Sequence, residues 1–357
     1  MATWLTEDEI VHDDHDRALK ITAKLQASPA FVRQLENTEF GTAGLRYRRL
    51  ALPEQIARLP NAVFLELERK HKLVGTYAVA ARELHTPDGP ARGLYRGLLT
   101  LSRDARREGL GRYLVERTFD WLERRSAAGP KPAVSWGCIE RHNLRSLSLL
   151  QTLGAETLGT QQSMLTYRQW PRSRVTVDEL GAADTGTIQT ALEASYRDCG
   201  LRTADTTTER YLAVTDDSGI VAGARATLTR LNIVSSGSRW DFFYAGLMRR
   251  VPAARRRYDP RDFTYVRLSD VVVRPGRERL WRDLLPTIMA RHDAHMAMFM
   301  FDPRSKVYTR LAATGLFGRF AAATRQEILV LAQAWNTPRD FLTRLAEQPL
   351  AIGPLDI

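Results

Sequence analysis

The chain predicts an α/β protein built as two tandem copies of one fold, on three observations. Its 357 residues exceed a typical single domain and suit two. From residue 45 to residue 170 the hydrophobic period alternates between strand-like and helix-like: strands first, then helix, strand, helix and a last strand. After "PRSR" (171–174), which reads as a linker, a similar order recurs, so the chain reads as a duplication at the scale of a whole domain, 1–171 and 172–357.

The elements follow in order. Residues 6–38 read as one or two helices, with Thr6 as N-cap, Ser28-Pro29 as a second start and Gly41 as the stop. "LRYRRLAL" (45–52) alternates like a strand, and 62–84 reads as two strands around a polar turn at Glu68–Lys72. "TPDGPARG" (86–93) is a turn, 94–102 a strand, Leu110 to Arg125 a helix, and "AAGPKP" breaks it. "AVSWGCIE" (133–140) is a strand, Asn143 to Leu153 a helix ended by Gly154, and 163–170 a strand. In the second half "RVTVDEL" is a strand and 185–200 a helix; 210–231 is a hairpin around Asp216–Gly219 and "YVRLSDVVVRP" a strand. A helix over 278–293, the strand "AHMAMFMFD" and a helix ending at Gly315 complete the repeat.

Composition bounds the function. Hydrophobic residues at 44% and charged residues at 26% suit a globular protein with a real core. No apolar run approaches the roughly 18 residues of a membrane span. The N-terminus is acidic and lacks a signal h-region, so a cytoplasmic location is expected. Cys138 and Cys199 lie far apart and make neither a disulfide framework nor a metal-ligand pair; no metal is expected. The net charge of +11 favours acidic partners such as phosphate-bearing cofactors or nucleic acid, although arginine richness also arises from genome composition.

The most informative stretch is "LSRDARREGLG" (101–111). An apolar strand end leads through a basic turn into a helix, with Gly109 and Gly111 three and five residues after Arg106. Helix N-termini carry unpaired N–H groups and a partial positive charge, and glycine lets a ligand approach the backbone. Arg106, Arg107 and Arg112 add charge, so the segment suits an anion. The spacing is neither that of a P-loop nor that of a Rossmann turn, and alone it also fits an ordinary exposed turn.

The segment resembles the pyrophosphate-binding motif of the GNAT N-acetyltransferase superfamily, Arg/Gln-x-x-Gly-x-Gly/Ala. "NLRSLSLLQTLGA" (143–155) resembles that family's second motif through Asn143, Leu149 and Gly154, with Ser146 in place of alanine. The resemblance covers residues 44–170 closely and the second half in element order only. It implies two tandem GNAT-like domains, each a mixed, mostly antiparallel sheet flanked by helices, and acetyl-CoA or another acyl-CoA as co-substrate. It further implies that backbone amides of Arg107, Glu108, Gly109, Leu110 and Gly111 hold the pyrophosphate. The main chain of Leu101 would pair with the pantetheine, and Asn143 would lie near the CoA arm or simply cap its helix.

Family members often carry a glutamate on the fourth or fifth strand and a tyrosine in the second motif. Here Tyr95 and Cys138 stand at the first two places and Leu150 at the third. Cys138 and Tyr95 are therefore the candidate catalytic residues, with Glu140 and His142 close behind; a packed core thiol is the competing account of Cys138. Registering "DVVV" (270–273) on "LLTL" (98–101) puts Glu278, Trp281 and Asp283 where Arg106, Gly109 and Gly111 stand, so the second half reads as a degenerate copy. Mycothiol synthase is a family precedent for copies of unequal competence. "HDDHD" (12–16) spaces His12 and Asp16 by one helical turn but reads as a solvated helix start rather than a metal site. "MRRVPAARRRYDPRDF" (248–263) carries six arginines in a connection and reads as a surface loop, with nucleic acid disfavoured. The expectation is an acyl-CoA-dependent N-acyltransferase acting on a small-molecule or peptide amine, the second half standing in as a pseudo-dimer partner. The rival is a non-catalytic acyl-CoA-binding or regulatory module.

Overall fold

The computed structural model describes residues 6–41, 45–57, 59, 61–127, 129, 131–203, 210–235 and 259–352. In the first half the strands are β1 (Glu9–Asp14), β2 (Leu19–Lys24), β3 (Arg46–Arg49), β4 (Ala62–Arg69), β5 (Lys72–Thr86), β6 (Gly89–Leu101), β7 (Ala133–Glu140) and β8 (Glu156–Tyr167). The helices between them are α1 (Pro29–Glu36), α2 (Leu52–Ala57), α3 (Leu110–Ala127) and α4 (Leu144–Thr152). The second half carries β9 (Asp178–Leu180), α5 (Thr185–Ser195), β10 (Leu201–Thr203), β11 (Tyr211–Asp216), β12 (Gly219–Ser235) and β13 (Phe263–Val273). It continues with α6 (Trp281–Arg291), β14 (Met296–Phe301), α7 (Lys306–Ala313), α8 (Gly318–Ala323), β15 (Gln326–Trp335), α9 (Phe341–Ala346) and β16 (Leu350–Ala351).

The N-terminal reading needs correction. Residues 9–24 form the hairpin β1–β2, and only α1 is helical. "LKITAK" buries Leu19, Ile21 and Ala23 on one face, a period of two, and β2 pairs along β4 from Leu19↔Arg69 to Lys24↔Phe64. His12 consequently lies on a strand and Asp16 in the following turn, so the two are not one helical turn apart. The second start is formed as the sequence implies: Ser28 Oγ accepts from Phe31 N at 3.1 Å, with Pro29 in the first turn. "RVTVDEL" forms a strand only over its last three residues. Of the arginine-rich stretch, residues 248–258 lie outside the described residues.

All the strands belong to one mixed, mostly antiparallel sheet, whose main path runs β1-β2-β4-β5-β6-β7-β15-β8-β14-β13-β12-β11-β9. Two exchanges join the halves. β15, which comes from the second half and has no counterpart in the sequence reading, lies between β7 and β8: Val330 is paired with Cys138 on one side and Gly159 on the other. β8 in turn pairs with β14, from Tyr167↔Met296 to Gln162↔Phe301. The short strands cross as well, β3 pairing with β12 and β10 with β5. On one face of the first-half strands, α3 buries Leu114, Val115 and Leu122. On the other, α1, α2 and the second half's α9 bury Phe31, Leu52 and Phe341 around Trp136.

A chain ending at Arg172 leaves the inner edges of β7 and β8 unpaired, because β15 and β14 are gone. We expect such a fragment to lack a cooperative thermal transition or to aggregate; a monomeric, cooperatively unfolding 1–172 fragment would contradict the exchange as a stabilising feature.

Candidate active site

Three local features build the site. The first is the turn before α3. Arg107 and Gly109 both take left-handed φ values, +75° and +76°, on either side of Glu108. For arginine this conformation costs about 1–2 kcal/mol, a strain more often met at functional positions. Among the described residues no protein acceptor meets the backbone N–H groups from Arg107 to Arg112; the first to be satisfied is Tyr113, which donates to Gly109 O at 3.0 Å. An added Cβ at Gly109 would meet nothing within 4 Å, whereas at Gly111 it would come within 3.2 Å of Leu101 Cδ1. Gly109 therefore leaves open space above the amides, and Gly111 lets the helix start close to the end of β6. The side chains are already arranged: Arg106 Nε donates to Leu101 O at 3.4 Å, Glu108 pairs with Arg69, and Arg112 lies 3.9 Å from Glu116.

The second feature is a parting of strands. β6 and β7 are paired only from Arg92↔Ala133 to Tyr95↔Trp136. Beyond that point β7 stays bonded to β15, and the edges Arg96–Leu101 and Gly137–Glu140 diverge. Such edges carry backbone donors and acceptors that an extended ligand can pair with. A bulge aims β6 into the gap: one residue of β5, Tyr77, faces Leu98 and Leu99, and Leu98 takes φ +55°. Thr76 Oγ1 donates to Leu98 O at 3.2 Å and holds the bulge.

The third feature is the pair of candidate side chains. Tyr95 is the last paired residue before the gap, and its ring stands edge-on to Trp136 with centroids 5.8 Å apart. The ring lies along its own strand over Gly97, where an added Cβ would be 3.0 Å from Tyr95 Cε1 and 3.5 Å from the hydroxyl. Gly97 thus delivers the phenol to the bulge. Burial raises the Tyr95 phenol well above its ordinary value, and the neighbouring Cys138 adds to this, while the positive charges of Arg49 and Arg267 oppose it. Cys138, partly exposed at residue level, packs against the Trp136 cluster, and burial pushes its thiol up to about 12. Both groups are therefore neutral at physiological pH. Leu150 is buried among the residues under α3. Asn143 caps α4, its Oδ1 accepting from Ser146 N at 3.2 Å. Glu140 closes β7, its carbonyl taking Asn143 N at 2.8 Å, and His142 is exposed in the turn beyond.

The second half repeats this geometry and fills it. β13 and β14 are paired only from Val266↔Ala297 to Leu268↔Phe299. The bulge recurs at Asp270, φ +51°, in the register chosen from sequence for Leu98. Ser305 caps α7 as Asn143 caps α4. The turn before α6 differs. Glu278 Oε1 accepts from Gly276 N at 3.0 Å, so the protein's own carboxylate takes an amide there. The Trp281 indole is fully buried and donates to Val272 O at 3.0 Å, and Asp283 lies 3.7 Å from Arg174. At the bulge, Asp270 Oδ2 accepts from Arg225 Nε at 3.0 Å.

This fold is shared with a solved N-myristoyltransferase. Saccharomyces cerevisiae N-myristoyltransferase with bound myristoyl-CoA aligns over 92% of this chain and 83% of that chain at 10% identity, with a TM-score of 0.57. A structure of the same enzyme with myristoyl-CoA and inhibitors aligns over 94% and 82% at 11% identity and a TM-score of 0.57. A GCN5-related N-acetyltransferase from Anabaena variabilis ATCC 29413 aligns over 88% and 72% at 11% identity, with a TM-score of 0.49. By sequence the chain matches no protein-family model and no curated protein. The tandem GNAT fold expected from the two motifs is the fold of this chain. No described helix is long and apolar enough to cross a membrane.

Cys138 and Cys199 both have thiols pushed up to about 12, by burial first. A free thiol near 8.5 holds roughly a thousandfold more thiolate at pH 8. Alkylation of the folded protein should therefore be at least about a hundredfold slower than that of free cysteine, and should accelerate as pH rises towards 11. Rapid labelling of Cys138 at pH 7, read by peptide mass, would contradict the burial argument.

Proposed function

We propose that the chain is an acyl-CoA-dependent N-acyltransferase, moving an acetyl group from acetyl-CoA to a primary amine, with its acyl-CoA site in residues 1–171 and with 172–357 as a partner copy that has lost that site. The carrying observation is the contrast between the two turns: six amides without protein acceptors before α3, against a turn before α6 that Glu278, Trp281 and Asp283 occupy. A pyrophosphate fits the first and meets two carboxylates at the second.

Bound acyl-CoA would supply the activated carbonyl and a good leaving group. Amides from Arg107 to Gly111 would hold the pyrophosphate, Leu101 and the diverging edges of β6 and β7 would pair with the extended arm, and Asn143 would stand beside it while capping α4. Tyr95, kept protonated by burial, would donate a hydrogen bond at the bulge and steady the departing sulfur. Cys138 would face the same centre as a neutral thiol; with its ionisation near 12 it holds little thiolate to act as a base at neutral pH. The amine's proton then passes to water, and placement of the amine against the carbonyl supplies much of the rate. The binding-module reading keeps one specific observation in its favour: Leu150, where a tyrosine often serves as acid, is 7% exposed and part of the core.

Calorimetry with acetyl-CoA should give one site per chain. Gly111→Asp should abolish it by setting a carboxylate against phosphate; unchanged binding in that variant would remove the turn from the site. Amine-dependent release of free CoA thiol separates enzyme from binding module. Tyr95→Phe should slow release about tenfold, roughly 1.4 kcal/mol of barrier, with acetyl-CoA affinity kept. Cys138→Ala should lower the melting temperature and leave turnover per folded molecule within about a factor of three, under 1 kcal/mol of barrier. A tenfold loss there would make the thiol a participant in the reaction.

A further inference from the structure

Where the chain leaves β8 it forms a groove rich in one charge. Arg168, Trp170, Arg172 and Arg174, with Arg282 and Pro286 of α6, line an open groove of about 370 Å³. The segment is pinned at both ends. Arg168 N donates to His295 O at 2.9 Å, and Arg174 N donates to Thr287 Oγ1 at 3.0 Å, with Thr287 buried in α6. Two guanidinium groups reach the same turn after α7. Arg168 Nη2 donates to Leu316 O at 2.8 Å, and Arg282 Nε donates to Thr314 O at 3.1 Å. Arg168 Nη1 also donates to Tyr167 O at 2.9 Å and Thr166 Oγ1 at 3.1 Å.

All of these acceptors are neutral. On other parts of the surface arginines meet carboxylates, as Arg230 meets Asp262, Arg274 meets Asp216 and Arg344 meets Asp88. Among the described residues the groove arginines have one ion pair, Arg174 with Asp283 at 3.7 Å, and Asp283 does not line the groove. A carbonyl fixes where a guanidinium points without cancelling its charge. The like charges also act on one another: burial first, and then the charge of Arg174, lower the affinity of the Arg168 guanidinium for its proton. Arg282 engages only its Nε and Nη2 among the described residues, both on Thr314 O, and exposed Arg172 engages none of its side-chain donors. The groove therefore holds oriented positive charge with donors left for an anion.

We propose that this groove is a second ligand site, separate from the turn before α3, and that it takes the phosphate groups of a small phosphorylated molecule. The inference does not depend on the acyltransferase reading. Each planar guanidinium fork can take two phosphate oxygens, and several forks around one groove suit a phosphate dianion or a diphosphate better than a single carboxylate. The volume falls among those of small-molecule sites. Arg168 belongs to the first half and Arg282 to the second, with the linker between them, so an occupant would tie the halves together and stabilise the fold. The groove is open and water screens its charges, so an affinity of about 0.1–1 mM is expected. A micromolar titration with acetyl-CoA then reads the turn before α3 alone.

The test uses the full chain carrying Gly111→Asp, which blocks the turn before α3, and the wild-type chain preloaded with micromolar acetyl-CoA as a second format. Each is titrated with inorganic phosphate, pyrophosphate, ADP and a single-stranded oligothymidylate, and calorimetry and thermal unfolding are read. Pyrophosphate and ADP should bind at one site and raise the melting temperature. Equal affinities mean that the diphosphate alone is recognised, and tighter ADP means that the groove also takes the organic part of an ester. Arg172→Gln and Arg282→Gln should each weaken binding at least about fivefold. Arg230→Gln removes the same charge elsewhere and should leave binding unchanged. Four results overturn the inference: no binding of pyrophosphate or ADP in either format, binding only by the oligonucleotide, affinity untouched by both groove substitutions, or a thermal shift reproduced by sodium chloride at equal ionic strength.

Discussion

Everything in this chain depends on the antiparallel pairing of β15 with both β7 and β8. Ala133 to Glu140 would otherwise be a strand hydrogen-bonded on one side only and then left by β6 halfway along. With β15 in place, β7 stays straight and paired through Glu140 even where β6 turns away. The parting of β6 and β7 is thereby a stable feature rather than a frayed edge. Arg96 adds a second tie. It is 3% exposed, lies 4.4 Å from the Phe119 ring, and donates to Leu331 O at 3.3 Å, past the backbone of Gly137. A buried guanidinium is costly to desolvate, and burial lowers its affinity for its proton, so its place here fixes position more than it adds stability.

The two halves keep one backbone plan and differ in what fills it. Both have a bulge whose extra residue takes a left-handed φ near +50°, both part their parallel strands beyond it, and both cap the following helix with a short polar side chain. The bulge carbonyl is held in each case by a hydroxyl, Thr76 in one half and Tyr211 at 2.8 Å in the other. What separates them is electrostatic. The first turn presents amides and arginines, whereas the second presents Glu278 to its own amide and Asp283 to Arg174. Trp281, which the register sets opposite Gly109, is fully buried and packs beside Phe299.

The reciprocal crossings also tie the two halves to one another. β3 is carried to the second half, where it pairs with β12, and β10 to the first, where it pairs with β5, so strands distant in sequence become neighbours in the sheet.

The sequence by itself determined the local items. Gly109 marks the turn through its left-handed φ, which glycine takes without the cost that Arg107 bears two residues earlier, and Gly111 through its close approach to Leu101; Asn143, Ser28 and Gly154 mark helix ends for equally local reasons. The register of Asp270 on Leu98 was legible too, since bulge, strand and helix lengths repeat. The hairpin over 9–24 was misread because acids and a plausible cap outweighed the period-two pattern of "LKITAK". The exchange of β8 and β15 left no trace in either strand: an apolar, alternating segment pairs equally well with several neighbours, and the choice is made by which edges remain open once both halves are packed. The place of Gly97 was decided only in the tertiary structure. A glycine under a tyrosine ring is defined by what stands opposite it, and sequence spacing carries no information about that distance.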